Sequence, residues 1–347
     1  MLTRRIVALS LAALLAPAAA GAQAGRGNAS YHVVRRLAVG GEGGWDYLTV
    51  DTADDRLFVS RGTHVMVVDL RGGSVVGDIP NTNGVHGIAV VPSLGRAFTS
   101  NGRDSSVTIF DPRTLATIGT VEVTGANPDA IMYEPTTKRV FTFNGRSGNA
   151  TAIDAATGRV VGTVPLGGKP EEAVADGTGR VFVNIEDRSE IVAFDARSLA
   201  VKATWPLAPC EEPTGLAIDR AHARLFVGCS NERMAVVDAG SGRMVTTIPI
   251  GPGVDGTGFD PATQLAFAST GRDGMLTVVH EDSPDSFTVV SNVPTQRGAR
   301  TMTIDPRTHA VYTVSAEFGP APAPTSDHPH PRPSVVPGSF VIIEVGR

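Results

Sequence analysis

The 347-residue chain is poor in the residues that usually announce chemistry. It has two cysteines (Cys210 and Cys229), two tryptophans (Trp45 and Trp205) and only 5% aromatic residues. The cysteines form no CxxC or CxxCH pattern, which excludes a redox dithiol, a cysteine-built metal centre and covalent haem attachment. HExxH, GxSxG and P-loop patterns are also absent, so zincin, serine-hydrolase and nucleotide-cradle readings fall away. No apolar run after residue 15 is long enough to span a bilayer. Nor is there a basic surplus: the formal charge is −5, which disfavours a nucleic-acid partner held by bulk charge.

What is present begins with a leader. Arg4 and Arg5 precede an apolar run over residues 6–15, and Ala22-Gln23-Ala24 closes the segment with small residues. Residues 1–24 therefore read as a signal peptide, and 25–347 as one exported domain, periplasmic or secreted. The paired arginines leave a twin-arginine route open beside ordinary secretion. Removing Arg4 and Arg5 takes the formal charge from −5 to −7. In an oxidising compartment two cysteines suggest a Cys210–Cys229 disulfide. Thr214 and Cys229 are expected to face each other across a hairpin centred near 220–223, with Cys210 just beyond.

The mature chain repeats itself. Phe58, Phe98, Phe141, Phe182, Phe226, Phe267 and Tyr312 recur at intervals of 40, 43, 41, 44, 41 and 45 residues. Each repeat holds four short β-prone runs separated by turn residues, seen best over 130–133, 139–143, 150–154 and 159–166. Such a period predicts an all-β, seven-bladed β-propeller with one repeat per blade. Asp51, Glu134, Asp219, Asp260 and Asp305 sit seven residues before their aromatics, at the first turn. Asp69, Asp111, Asp154, Asp195 and Asp238 end third strands, with His280 and Glu344 at the equivalent ends; short carboxylates there suit turn capping. The last repeat lacks a fourth strand, and residues 31–39 supply one. Pairing it with 340–345 predicts a seventh blade closed by both ends of the chain, with no exposed sheet edge.

Phe141-Thr142-Phe143-Asn144 followed by residues 152–165 (Ala-Ile-Asp-Ala-Ala-Thr-Gly-Arg-Val-Val-Gly-Thr-Val-Pro) resembles the YVTN-type repeat of secreted, YncE-like propellers. The resemblance spans essentially the whole mature chain, and implies the fold more than an activity. The family includes surface proteins and DNA binders, and the chain is also similar to the propellers of lactonases and haem d1 proteins. Trp45-Asp46 is not the WD signature, because it starts an inner strand. Two tryptophans do not supply the packing of quinoprotein propellers; a noncovalent haem site stays open.

Counting back from the aromatics exposes one residue per blade at the head of the inner strand: Asp46, His86, Asp129, Glu171, Thr214, Asp255 and Arg300. Equivalent positions converge on the channel mouth, where carboxylates need a cation, an arginine or shared protons. The candidate ligand-binding set is this ring plus Arg103, Arg146 and Arg272 from the loops between second and third strands. Arg61, Arg188 and Arg233 occupy the same loops. One divalent cation is the cofactor the ring admits, held by His86, Asp129, Glu171 and Asp255, with His86 also the candidate catalytic residue. The expected partner is a small polar or anionic ligand or a protein, with the chain a monomer. A metal-assisted hydrolase or lyase of lactone-like substrates and a DNA-binding propeller are the alternatives. The proline-rich insertion over 316–338 in blade seven reads as a stiff flap at this mouth, offering His328 and His330.

Overall fold

Period-two alternation and turn residues every few positions yield short antiparallel strands. The computed structural model describes residues 30–323 and 333–347. Tyr31–Arg347 forms one compact unit; of the other, Met1–Ser30, only Ser30 is described, so the expected signal peptide lies outside the described residues. The described residues form seven four-stranded antiparallel sheets, each in simple up-and-down order, with 3-10 turns at Pro92–Leu94 and Glu186–Arg188. No described helix is long and apolar enough to cross a membrane.

Closure follows the predicted scheme. The strand His32–Ala38 pairs antiparallel with Val341–Gly346, from His32 opposite Gly346 to Ala38 opposite Val341, as the outer strand of the seventh sheet. Within that sheet Glu344 lies opposite Tyr312, two residues short of the position Asp69 takes opposite Arg56. Glu344 is thus not at the equivalent strand end, and instead meets Arg35 at 2.9 Å.

The hydrophobic core is divided among the seams between blades. One cluster joins Phe58 and Val67 to Ile88 and Phe110; another joins Phe141 and Val164 to Val181 and Phe194. Five more clusters fill the remaining seams. The seven repeat aromatics are buried in the second strands, at 0% exposure except Tyr312 at 3%. A single sheet presents two apolar faces, so each blade is stabilised by both neighbours.

The acids at strand ends do turn work. Asp111 Oδ1 accepts the N–H groups of Arg113 and Thr114 at 2.8 and 3.0 Å, and Asp154, Asp195 and Asp238 repeat the pattern. Asp51, Glu134, Asp219, Asp260 and Asp305 cap the first turn. In blade four this falls to Asp176, one residue later than the count from Phe182 predicts.

Cys210 and Cys229 are joined, tying the loop before blade five to the end of its second strand. Cys229 faces Pro213, not Thr214, because Thr214 leaves the ladder in a bulge. Cross-linking a loop of this size stabilises the chain by about 3 kcal/mol. The Cys210→Ser/Cys229→Ser double variant should lose that much in urea unfolding. Equal midpoints for oxidised wild type and variant would refute it.

Candidate functional site

In blades two to six the head of the inner strand carries an extra residue. Pro128 pairs with Asn144 and the next pair is Ile131 with Thr142, so Asp129 and Ala130 together oppose Phe143. The same shift places His86-Gly87, Glu171-Glu172 and Thr214-Gly215 outside the ladder in blades two, four and five, and Asp255 in blade six. A bulge re-aims side chains and leaves backbone groups to be satisfied elsewhere. Ser60 Oγ accepts the Asp46 N–H at 3.0 Å, Ser100 Oγ that of Gly87 at 2.9 Å, and Asn184 Nδ2 donates to the carbonyls of Thr214 and Gly215. Polar residues of the second strands thus hold the inner-strand heads in place.

The inner-strand heads bring residues of different blades into contact at the mouth. His86 Nδ1 lies 2.6 Å from Asp46 Oδ2 and 3.4 Å from Asp129 Oδ1. Arg300 meets Asp255 at 2.7 Å, Asp46 at 3.4 Å and the Trp45 carbonyl at 3.0 Å. Lys169 binds Glu171 at 2.7 Å and also Glu186. Thr214 stands apart, its hydroxyl donated to the Val254 carbonyl at 3.0 Å. Of the expected metal set, His86 and Asp129 come together, with Asp46 as the third member, and their ligand atoms lie within 4.8 Å of one another. Glu171 and Asp255 are engaged by Lys169 and Arg300 instead, because these cations sit nearer than the histidine group does.

The charges at the mouth do not balance. Burial pushes the Asp129 carboxyl up; His86 pulls it down, and Asp46 and Asp255 add repulsion. Burial likewise raises Glu171, with Asp129 adding to it and Lys169 opposing. Asp255 is raised by burial against the pull of Arg300. Burial works against charge on His86, but its Asp46 hydrogen bond and the surrounding carboxylates outweigh it and raise its pKa. The mouth therefore holds protons that carboxylates in water would have released.

Below the mouth lies a cavity of about 290 Å³, lined by inner-strand residues that include Ile131, Met132, Phe259, Met302 and Ile304. Its ionisable lining residues are Tyr47 and Glu172, beside the hydroxyls of Thr49, Thr257 and Thr303. Glu172 Oε2 accepts the Leu216 N–H at 3.2 Å, and burial raises its pKa to about 8. Tyr47 is also pushed well above its ordinary value, by burial first and then by Glu172. Counting back from the aromatics missed both, since it stopped one position short. That next position reads Tyr47, Gly87, Ala130, Glu172, Gly215, Gly256 and Thr301. A Cβ at Gly87 would lie 2.8 Å from Ile131 Cγ2, and one at Gly256 2.8 Å from the Met302 nitrogen. Two large polar residues in a column of small ones were the available signal.

The loop arginines divide. Arg103, Arg146 and Arg272 are exposed, and no side-chain hydrogen bond or ion pair engages them among the described residues. The glycines before Arg103 and Arg272 are required by close approach: a Cβ on Gly102 would lie 2.8 Å from His86 Nε2, and one on Gly271 2.7 Å from Arg300 Cβ. Arg61, by contrast, is 1% exposed and belongs to the fold. Its guanidinium donates to the Gly40, Glu42 and Gly43 carbonyls and lies 3.5 Å from the Phe340 ring centroid. The base of the insertion is a short ribbon in which Phe318 faces Val335, and the Phe318 ring packs against Trp45 with centroids 6.0 Å apart. Residues 324–332, with His328 and His330, lie outside the described residues, so the flap reading falls there too.

A family model described as outer membrane protein assembly factor BamB matches residues 103–280, just over half of the chain. A search of curated proteins finds no significant match. Among solved structures, a chain of the mitotic checkpoint complex superposes with a TM-score of 0.73 at 15% identity, covering 100% of this chain and 99% of that one. A chain of Kuenenia stuttgartiensis hydrazine synthase gives 0.70 at 15% identity, covering 79% of this chain and 93% of that one. At such identity the likeness shows the propeller fold alone.

The proton held by Glu172 makes stability depend on pH. Its folded value of about 8 exceeds the ordinary 4.5, so the native state binds a proton that the unfolded chain releases in this window. This contribution to stability is therefore lost as pH rises from 4.5 to 8. Glu172→Gln should be on the order of 2 kcal/mol more stable than wild type in mildly alkaline buffer, and no more stable below the ordinary carboxylate range. Urea unfolding at the two extremes measures this; parallel pH profiles would contradict it.

Proposed function

The chain belongs to the family whose model is described as outer membrane protein assembly factor BamB, and on that premise we propose an exported, non-catalytic propeller that binds a ligand or protein partner on its channel-mouth face. The YVTN-type, YncE-like resemblance supports the finer placement, and it extends over the blades on either side of the family match. The leader pattern over 1–24 and the Cys210–Cys229 bridge support a periplasmic or secreted location for a domain spanning 25–347.

The observation that carries this reading is the carboxylate surplus at the mouth. Asp46, Asp129, Glu171, Asp255 and Glu186 gather around Arg300, Lys169 and His86, Glu172 lies in the cavity beneath, and four of these acids are raised in pKa. A cationic group entering there relieves like-charge repulsion, while Arg103, Arg146 and Arg272 around the rim suit a carboxylate or phosphate. The ligand is thus a polar molecule or protein segment bearing an amine or guanidinium beside an anionic group. The same surplus gives nucleic acid no attractive surface at the mouth.

One observation favours the catalytic alternative. Asp46, His86 and Asp129 offer three ligand atoms within 4.8 Å of one another. A divalent cation held there would polarise the carbonyl of a lactone-like substrate, with the remaining His86 nitrogen, beside Gly102, to move a proton.

Calorimetric titration with 1,5-diaminopentane near neutral pH, in two buffers of different ionisation enthalpy, tests the binding reading. Binding should release protons, and Asp129→Asn should weaken it about tenfold, or 1.4 kcal/mol. Absence of heat, or affinity untouched by Asp129→Asn and Glu171→Gln, would sink it. For the alternative, protein purified without chelator should carry a divalent ion that His86→Ala loses, together with lactone hydrolysis.

A further inference from the structure

A second group of ligating side chains lies on the rim away from the mouth, in the seam between blades five and six. Asp219 ends the first strand of blade five (Pro213–Asp219), His222 sits in the turn after it, and Glu281 lies near the end of the third strand of blade six (Met275–Ser283). We propose that Asp219, His222 and Glu281 bind one first-row divalent cation of the Zn²⁺ type, clamping the two blades together.

Glu281 is the anomaly that points to a ligand. Its side chain is 0% exposed, and neither carboxylate oxygen has a hydrogen-bond partner. Blades one to five place Leu70, Pro112, Ala155, Ala196 and Ala239 at the equivalent position, one residue beyond the acid of the third strand. The backbone confirms the equivalence, since the N–H groups of Leu70, Ala155, Ala196, Ala239 and Glu281 each bond a carbonyl in the turn of their own blade. All five equivalents are buried. A carboxylate at an apolar, buried position, left without hydrogen bonds, is unfavourable unless a cation meets it.

The other two groups are placed to meet the same ion. His222 Nδ1 lies 2.7 Å from Asp219 Oδ2 and 3.1 Å from Glu281 Oε1. The imidazole nitrogen nevertheless makes no hydrogen bond, so these atoms crowd a common point without bonding one another. All three ligand atoms lie within 4.8 Å of one another. Asp219 is oriented from behind, its oxygens accepting the N–H groups of Ala221 at 2.9 Å and His222 at 3.1 Å, as an outer-shell partner orients a ligand. Burial and the Asp219 charge push Glu281 up to about 7, opposed by His222. The His222 side chain is 35% exposed, which gives an ion its entry and a water its place as fourth ligand. One imidazole with two carboxylates suits Zn²⁺ or its first-row neighbours, whereas Ca²⁺ requires six to eight oxygens. The next seam supplies a contrast: His309 meets Asp260 at 2.8 Å, but among the described residues no buried glutamate joins them.

The test is titration of chelator-treated full-length protein with ZnCl₂, followed by calorimetry and thermal unfolding. Wild type should bind one Zn²⁺ per chain in this seam and unfold at higher temperature when loaded. His222→Ala and Glu281→Ala should weaken that binding at least about 100-fold and abolish the thermal shift. Glu281→Ala restores the residue blades three to five carry, so it should fold and, metal-free, match or exceed wild type in stability. His86→Ala and His309→Ala should keep the ion. Zn²⁺ affinity unchanged in Glu281→Ala and His222→Ala would overturn the proposal, as would its loss in His86→Ala or the absence of binding in wild type.

Discussion

Every other feature depends on the pairing of His32–Ala38 with Val341–Gly346, which closes the ring. The apolar clusters lie between sheets, so a blade removed from the circle would expose two faces of Val, Ile and Phe. Closure by strand pairing also removes the open edge at which such sheets would otherwise add further strands. The seam between blades seven and one is reinforced where the chain comes home. Buried Arg61 of blade one donates to the carbonyls that follow the closing strand and stacks on Phe340, which precedes the last strand. An arginine is tolerated there because its planar fork meets several carbonyls at once while its face covers an aromatic ring.

A ring held so firmly can carry an unfavourable centre. Bulges at the inner-strand heads set Asp129, Glu171 and Asp255 in a buried mouth where like charges raise their pKa values, and Tyr47 and Glu172 line the cavity beneath. Burial opposes charge on each of the carboxyls among them. The contrast with Asp111, Asp154 and Asp195 is instructive, since each of those accepts backbone hydrogen bonds in its own turn and titrates below the ordinary range. Carboxylates of one chain thus fall into two classes, separated by whether backbone donors face them. The polar residues that work against stability are those a ligand would relieve.

Much of this was legible from spacing. The seven aromatics gave the blade count, residues 31–39 gave the closure, and the two cysteines gave the bridge, because each depends on local pattern or on parity. The positions Asp46, His86, Asp129, Glu171, Asp255 and Arg300 followed from equivalence between repeats, since the heads of all inner strands lie at the same end of the ring. Tyr47 and Glu172 were not found that way. Strict alternation sends neighbouring residues to opposite faces of a strand, and at Glu172 a bulge breaks that rule by one residue. Arg61 lies in the expected loop and its position matches Arg103, but only the packing of Phe340 beneath it distinguishes a buried arginine from a solvated one.

The all-β architecture, its seven units and the way its ends meet are written in the order of residues, because they rest on periodicity and on turn chemistry that is local to each repeat. Only the tertiary structure decided which cation meets which carboxylate: Lys169 taking Glu171, Arg300 taking Asp255, and His86 drawing together Asp46 and Asp129. It alone brought Glu281 of blade six against His222 of blade five, 59 residues apart in the chain. The physical reason is the same in both cases. Charge and desolvation act between neighbours in space, over a few ångströms, and the circle makes neighbours of residues whose separation along the chain carries no trace of the contact.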